Sequence, residues 1–295
     1  MRPQRRPWVE HNFSQRIVTK RGKPRAGLIR LLYACGIEHD GTLEDIVQQT
    51  QRAWLRPAGL EIWQTPEKKF RNEADIRACL QELRLFSQVN PRNKRFDYLI
   101  IFGAVFEGML ERVAFAHRLL EAGKIIAPQM VFLVGERALD HEEESREKIE
   151  QLLRKYPKKL FAFPPSGWNK LTTELDIPLF LVSNLAFSPK SPIKHFVMIF
   201  TATQGARRPN TADTLLHWLT KGPEQASRCL FVSSGRHVQY QDAVVRRVLA
   251  QKNYFLRHET VGPAGQDISV TAYLDIVARW LYEEQQRLLL EGVLR

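Results

Sequence analysis

Residues 200–215, "FTATQGARRPNTADTL", place a glycine, two adjacent arginines and an Asn-Thr pair between an apolar run and a helical pattern. The arginine guanidinium is a rigid fork of donors that fits phosphate or carboxylate. Free N–H groups at a helix start favour an anion as well. Arg208 is therefore a candidate anion ligand, with Asn210 and Thr211 beside it. A structural account competes: Asn210 or Thr211 caps the helix, and Asp213 sits favourably in its first turn. The second chemical stretch is "SSGRHVQYQD", residues 233–242. His237 can exchange a proton near neutral pH. Ser233 and Ser234 can bind phosphate, or act as nucleophiles if His237 reaches them. Gly235 and Arg236 add a backbone amide and a cation.

Further candidates follow two other apolar runs. "FGAVFEG" supplies Gly103 and Glu107, and "VGERALD" supplies Gly135, Glu136 and Arg137. Glycines let backbone amides approach an anion closely. Glu107 and Asp213 are the candidate acid–base groups, and together they could hold a hard cation. No metal ligand is assigned, because the eight histidines are scattered and no paired cysteines occur. His117, His195 and His217 sit in apolar contexts that predict internal hydrogen bonds. Neither GxGxxG nor GxxxxGK[ST] is found at these loops.

These residues share a position, each lying just after a short apolar run and before a one-sided helix. "FDYLIIFGAVFEGMLERVAFAHRLLEAG" shows the scheme, with Met109, Val113, Ala116 and Leu120 on one helix face and Gly123 as its stop. Segments beginning at Gln129, His195 and Arg228 repeat it, "YFLRHETVGPAG" can add a strand, and Val270, Leu274, Val277 and Leu281 mark a final helix. The alternation predicts an α/β fold: a Rossmann-like, mostly parallel sheet flanked by helices. Ligands of such sheets lie beyond the C-terminal strand ends, where the candidate loops fall. Residues 26–90 predict a helical appendage, with Thr42 and Asn72 as helix caps and "RPAGLEIW" as a break. Residues 91–295 predict the α/β domain. Residues 156–195 carry six prolines and read as an insertion, with a short strand around "LFLV".

The 295-residue chain is 44% hydrophobic, which suffices for a buried core. The longest useful apolar run, "YLIIFGAVF", is too short to span a membrane. Three cysteines without close pairing suggest free thiols in a reducing, cytoplasmic setting. Net charge is +12, and residues 1–30 carry nine basic residues against Glu10 alone, so this tail supplies +8. Residues 1–25 read as a basic, flexible arm. Nucleic acid is a conceivable partner for it, although no interleaved aromatic residues support specific binding.

Five pieces resemble the YdcF-like family, whose branches include SanA and ElyC: "YLIIFGAVFEG", "RVAFAHRLLEAG" from Arg112, "VFLVGERALD", "RPNTADTL" and "FVSSGRHVQYQDAVVRRVL". Together they cover about residues 96–289. The resemblance implies a pocket at these loops, with Gly103, Arg112, Gly135, Asn210, Thr211, Asp213 and His237 as the family-like positions. Asp213 stands where a glutamate is usual, "VGER" lacks the usual Ser-Gly-Gly form, and no Arg-Ala pair follows His237. The expectation is an enzyme that binds an anionic, phosphorylated or nucleotide-containing small molecule and acts by hydrolysis or group transfer. S-adenosylmethionine or a divalent cation is a possible cofactor, since one branch resembles an S-adenosylmethionine binder. The alternatives are a methyltransferase, or a noncatalytic ligand sensor or interaction module.

Overall fold

In the computed structural model, the described residues are 10–58, 60–61, 64–157, 160–161, 164–188, 191–205, 207–265 and 268–294. The first nine residues of the expected basic arm lie outside them. In chain order the elements are α1 (Ser14–Ile17), α2 (Ala26–Ala34), α3 (Leu43–Trp54), α4 (Glu73–Glu82), β1 (Tyr98–Phe102), α5 (Phe106–Glu121), β2 (Gln129–Gly135), α6 (Arg146–Arg154), α7 (Asp176–Asn184), β3 (His195–Thr201), α8 (Thr211–Thr220), β4 (Arg228–Val232), α9 (Val238–Lys252), β5 (Arg257–Val261) and α10 (Val270–Leu290).

Two compact units result. One contains Asn90–Ser234 and Phe255–Pro263, and the other His11–Val89, Gly235–Tyr254 and Ala264–Arg295. The first holds the sheet. Its five strands are all parallel, in the order β3-β2-β1-β4-β5. Ile100 of β1 stands beside Val131 of β2 on one side and Phe231 of β4 on the other. Strands covered on both faces read as unbroken apolar runs. Leu99–Phe102, Met130–Val134 and Cys229–Val232 are accordingly all buried. The expected α/β class, with a parallel sheet flanked by helices, is thus observed. Beyond β3 the chain crosses to the far side of β1, so the sheet reverses direction between β1 and β4. Open α/β sheets take ligands at such a reversal.

Glu259 of β5 is fully buried and accepts the backbone N–H groups of Arg92 (2.6 Å) and Asn93 (3.0 Å). It fixes the approach to β1 by satisfying donors that would otherwise be orphaned. α5 packs on β1, and α8 packs on β2 and β3.

The second unit is helical. Thr42 caps α3 by accepting the Asp45 N–H, and α10 packs on α3, α4 and α9. Gln51 of α3 donates to the Ala278 carbonyl of α10 at 2.8 Å, and Arg247 of α9 pairs with Glu283 of α10. The last two helices, read from the sequence as part of the α/β domain, therefore group with the N-terminal ones.

Three local expectations are corrected. Residues 13–18 are not an irregular arm: Phe13, Ile17 and Val18 are buried, and Val18 bridges to Pro24. Asn72 does not cap α4 with its side chain, which instead donates to the Ala34 carbonyl. "LFLV" is helical, within α7. Ile177, Phe180, Leu181 and Asn184 form its buried face at helical spacing, while Leu179 is 50% exposed.

Burial pushes the Cys35 thiol up to about 12, with Cys79 nearby adding to the effect, and it pushes Cys229 inside β4 well above the usual thiol value. The thiolate is the reactive form. At pH 8 only about 10⁻⁴ of Cys35 would be ionised. Alkylation with iodoacetamide at that pH should therefore spare Cys35 and Cys229 in the folded chain. Both should react on adding denaturant, as read by peptide mass mapping.

Candidate functional site

The "RRPNTAD" stretch folds as a capping box. Asn210 accepts the N–H groups of Ala212 (2.8 Å) and Asp213 (3.2 Å), and Asp213 accepts the Asn210 N–H at 2.8 Å. Thr211 is the first residue of α8. The Asp213 carboxylate also pairs with exposed Arg207 at 2.9 Å. Both candidates, Asn210 and Asp213, thus close the helix end, and Arg207 is a cation on Asp213. Gly205 (φ +64) lets the preceding turn close on the Gln204–Arg207 bridge.

Arg208 points instead to Glu174, at 3.4 Å. Glu174 is delivered by the proline-rich insertion and is 4% exposed. Its carboxylate also accepts the Gly135 N–H at 3.3 Å and Arg137 Nε at 3.1 Å. Arg137 pairs on its other side with Glu144, one contact being Nη2 to Oε1 at 2.9 Å. Glu144 then accepts the Phe106 N–H at the start of α5 (2.7 Å) and the Asp140 N–H (2.9 Å). Burial works against the charge of Arg137, but hydrogen bonds and attraction from Glu144 and Glu174 outweigh it and hold the guanidinium above its ordinary value. The strand ends of β1 and β2 thus already contain anions, and these are carboxylates of the protein.

The glycines serve this arrangement. A Cβ at Gly103 would collide with Glu174 Oε1 and lie 2.7 Å from the Leu133 carbonyl oxygen. At Gly135 it would lie 3.2 Å from Pro209 Cβ. Glu107, on the first turn of α5, is exposed.

Arg112 lies at the sheet reversal. It is 3% exposed, donates to the carbonyls of Phe102 and Gly103 (2.7 Å each), and reaches Ser234 Oγ at 3.1 Å. It ties the end of β1 to the end of β4. The Ser233 hydroxyl donates to the Ser234 carbonyl at 3.1 Å. Strands β3 and β4 stand three strand spacings apart in the sheet, about 14 Å. Gly235, Arg236 and His237 belong to the helical unit, where they form one 3₁₀ turn leading into α9. There Arg236 Nε donates to His237 Nε2 at 3.2 Å. His117 and His217 bond internally, to the Ala186 carbonyl and the Thr201 hydroxyl, whereas His195 is exposed at the start of β3.

Two open cavities line the insertion. One, of about 330 Å³, is bounded by Leu139, Glu144, Arg146, Ile149, Trp168 and Leu171, with the Arg146 guanidinium 5.0 Å over the Trp168 ring. The other, of about 490 Å³, lies by Ser166, Lys170, Asp176 and Phe180. Through Glu144 the first cavity adjoins the carboxylate–arginine cluster.

The sequence reading did not single out Glu144 or Glu174. Glu144 is one of three consecutive glutamates, and its partner Arg137 lies across a turn. Glu174 meets Arg137 from 37 residues away. The only trace in the sequence is that Glu174 and Asp176 are the acids of an otherwise basic insertion. Among the described residues, no group of three or more His, Cys, Asp or Glu could hold a metal ion, and no helix is long and apolar enough to cross a membrane.

No family model matches the chain, and no curated protein and no solved structure matches it.

Arg137 neutralises two buried carboxylates, whereas Arg207 meets Asp213 near the surface. Removing one partner of a buried pair costs ~3–5 kcal/mol, and an exposed pair contributes ~0–1 kcal/mol. Urea denaturation should therefore show a large loss of stability for Arg137→Ala and almost none for Arg207→Ala. Equal midpoints would contradict the assigned burial of charge.

Proposed function

We propose that the sheet unit binds a phosphorylated or nucleotide-containing small molecule beyond the ends of β1, β2 and β3, and that it acts on that ligand by hydrolysis or group transfer. The observation that carries this reading is the cradle around Glu174. A backbone N–H, Arg137 and Arg208 converge on one anionic group at the C-terminal edge of a parallel sheet. The donor set is one that recognises phosphate. Its outermost member, Arg208, has a side chain 43% exposed and holds Glu174 at 3.4 Å. The contact is long, and its arginine side is open to water, where ion pairing is weak, so a more highly charged phosphate competes for the guanidinium. The neighbouring cavity sets Leu139, Ile149, Leu171 and the edge of the Trp168 ring beside the polar Glu144, Arg146 and Asn169, a mixed lining for the rest of a ligand.

Glu107 is the acid–base candidate exposed at this edge, whereas Asp213 is engaged by the helix cap and Arg207. The similarity of the strand-end segments to YdcF-like sequences supports the same ligand class. S-adenosylmethionine remains the competing ligand for a sheet of this kind.

The test is calorimetric titration and thermal shift with pyrophosphate, nucleotides, sugar phosphates and S-adenosylmethionine, each with magnesium or with EDTA. A ligand restricted to the native state raises its stability. A phosphate-bearing compound should raise Tm. Arg208→Ala should weaken its binding by about tenfold, equivalent to ~1.4 kcal/mol, and leave unliganded Tm nearly unchanged. If no phosphate compound binds, or the variant binds it equally well, the reading fails. Preferential binding of S-adenosylmethionine would assign the edge to methyl transfer.

A further inference from the structure

The two edges of the sheet differ. β5 closes one edge, and from His258 to Val261 it is buried. β3 forms the other edge and opens on exposed residues. Its seven residues, HFVMIFT, contain no proline, lysine, arginine or acid. Natural edge strands are normally blunted by such residues, by bulges or by short length. β3 has none of these features and is as long as the interior strand β2.

Backbone direction adds a second fact. The His195 N–H donates to Pro128, and the Thr201 carbonyl accepts from Glu136, so both residues face β2. Alternation along a strand then turns the N–H and C=O groups of Phe196, Met198 and Phe200 outward. Among the described residues no hydrogen bond reaches them on that side. The side chains of the same three residues are incompletely covered, with Phe196 40% exposed and Met198 and Phe200 half-buried.

This edge is self-complementary. If two copies of β3 pair antiparallel about Met198, Phe196 of each stands opposite Phe200 of the other, and Val197 opposite Ile199. All three outward residues then fall in hydrogen-bonded pairs, giving about six backbone bonds. Cross-strand aromatic pairs are favourable in such ladders. The same register sets exposed Lys194 opposite Ala202, next to Thr203, whose N–H is held by exposed Glu136 at 2.7 Å. Basic and acidic ends therefore meet at both ends of the ladder. We infer that β3 is a dimerisation edge, at which a second copy of this chain pairs antiparallel through Phe196, Met198 and Phe200 to make one continuous sheet. Other register shifts lose outward pairs or separate the phenyl rings.

Sedimentation equilibrium of the full chain over a wide dilution series tests this inference, independently of any ligand. The expected result is a reversible dimer. Phe196→Lys removes a ring that is 40% exposed and packs on Phe187 at 5.5 Å; it should weaken the dimer by about tenfold or more, with Phe187→Ala as the control for the loss of that intrachain contact alone. Met198→Cys supplies a reading that does not depend on affinity. In the stated register the two Met198 Cα atoms lie about 5.5 Å apart, within disulfide reach. Mild oxidation should crosslink that variant. It should not crosslink the Phe196→Cys variant, whose two substituted positions lie about 14–15 Å apart, nor the parent chain with its native thiols. A monomer at all concentrations overturns the inference, as does a dimer that Phe196→Lys does not weaken, or one that the Phe196→Cys variant crosslinks as readily as Met198→Cys. A monomer that captures an extended peptide along β3 also overturns it.

Discussion

Two carboxylates in the interior of the sheet unit need a counter-charge, and Arg137 supplies it to both. Unpaired, either acid would shift toward its neutral form or draw water into the strand ends. Paired, they organise the surrounding backbone. Glu144 satisfies the first N–H of α5, and Glu174 takes the amide of Gly135 and draws Arg208 inward. The glycine at 103 exists in a space that the Glu174 carboxylate fills. The start of α5, the end of β2, the insertion and the turn before α8 therefore meet through one guanidinium. A substitution there would be felt in four segments that are remote in sequence.

The same cluster sets an enclosed arginine beside a part-exposed one. Arg137 is enclosed, and its contacts are short and mutually reinforcing. Arg208 is half in water, and its contact is long. On the reading proposed above, an incoming anion would meet the second arginine while the first keeps the carboxylates in place. Preorganisation of this kind lowers the cost of assembling a binding site.

Much of the fold was legible in the sequence because its causes are local or periodic. A strand buried on both faces reads as an apolar run, and β1, β2 and β4 do so. A cap at Asn210 or Thr211 was legible because such hydrogen bonds span only three residues; the structure chooses Asn210 and adds the return bond from its N–H to Asp213. "LFLV" misled because a run of four apolar residues suits a strand or a helix. Its helical identity lies in the wider spacing from Ile177 to Asn184 and in Asp176, which accepts from Thr172 and Thr173 just ahead. Asn72 has the composition of a cap, but a tertiary contact with Ala34 claims its amide. Glu144 and Glu174 carry no local mark, since their role exists only once the insertion has folded back onto β2. The division of helices between the units was hidden for the same reason: α9 and α10 look like any helices that follow a strand.

The helical unit draws its residues from three stretches of chain, and α10 packs against α3 and α4. That arrangement sets an order on the ribosome. When α3 emerges, the surface that will cover its Ile46 and Trp54 has not been made, and more than 200 residues separate the two helices. At about 5–20 residues per second, the wait is roughly 10–40 s. Through that interval the nascent N-terminal helices must keep their apolar faces from other chains, and the sheet unit is synthesised in the meantime.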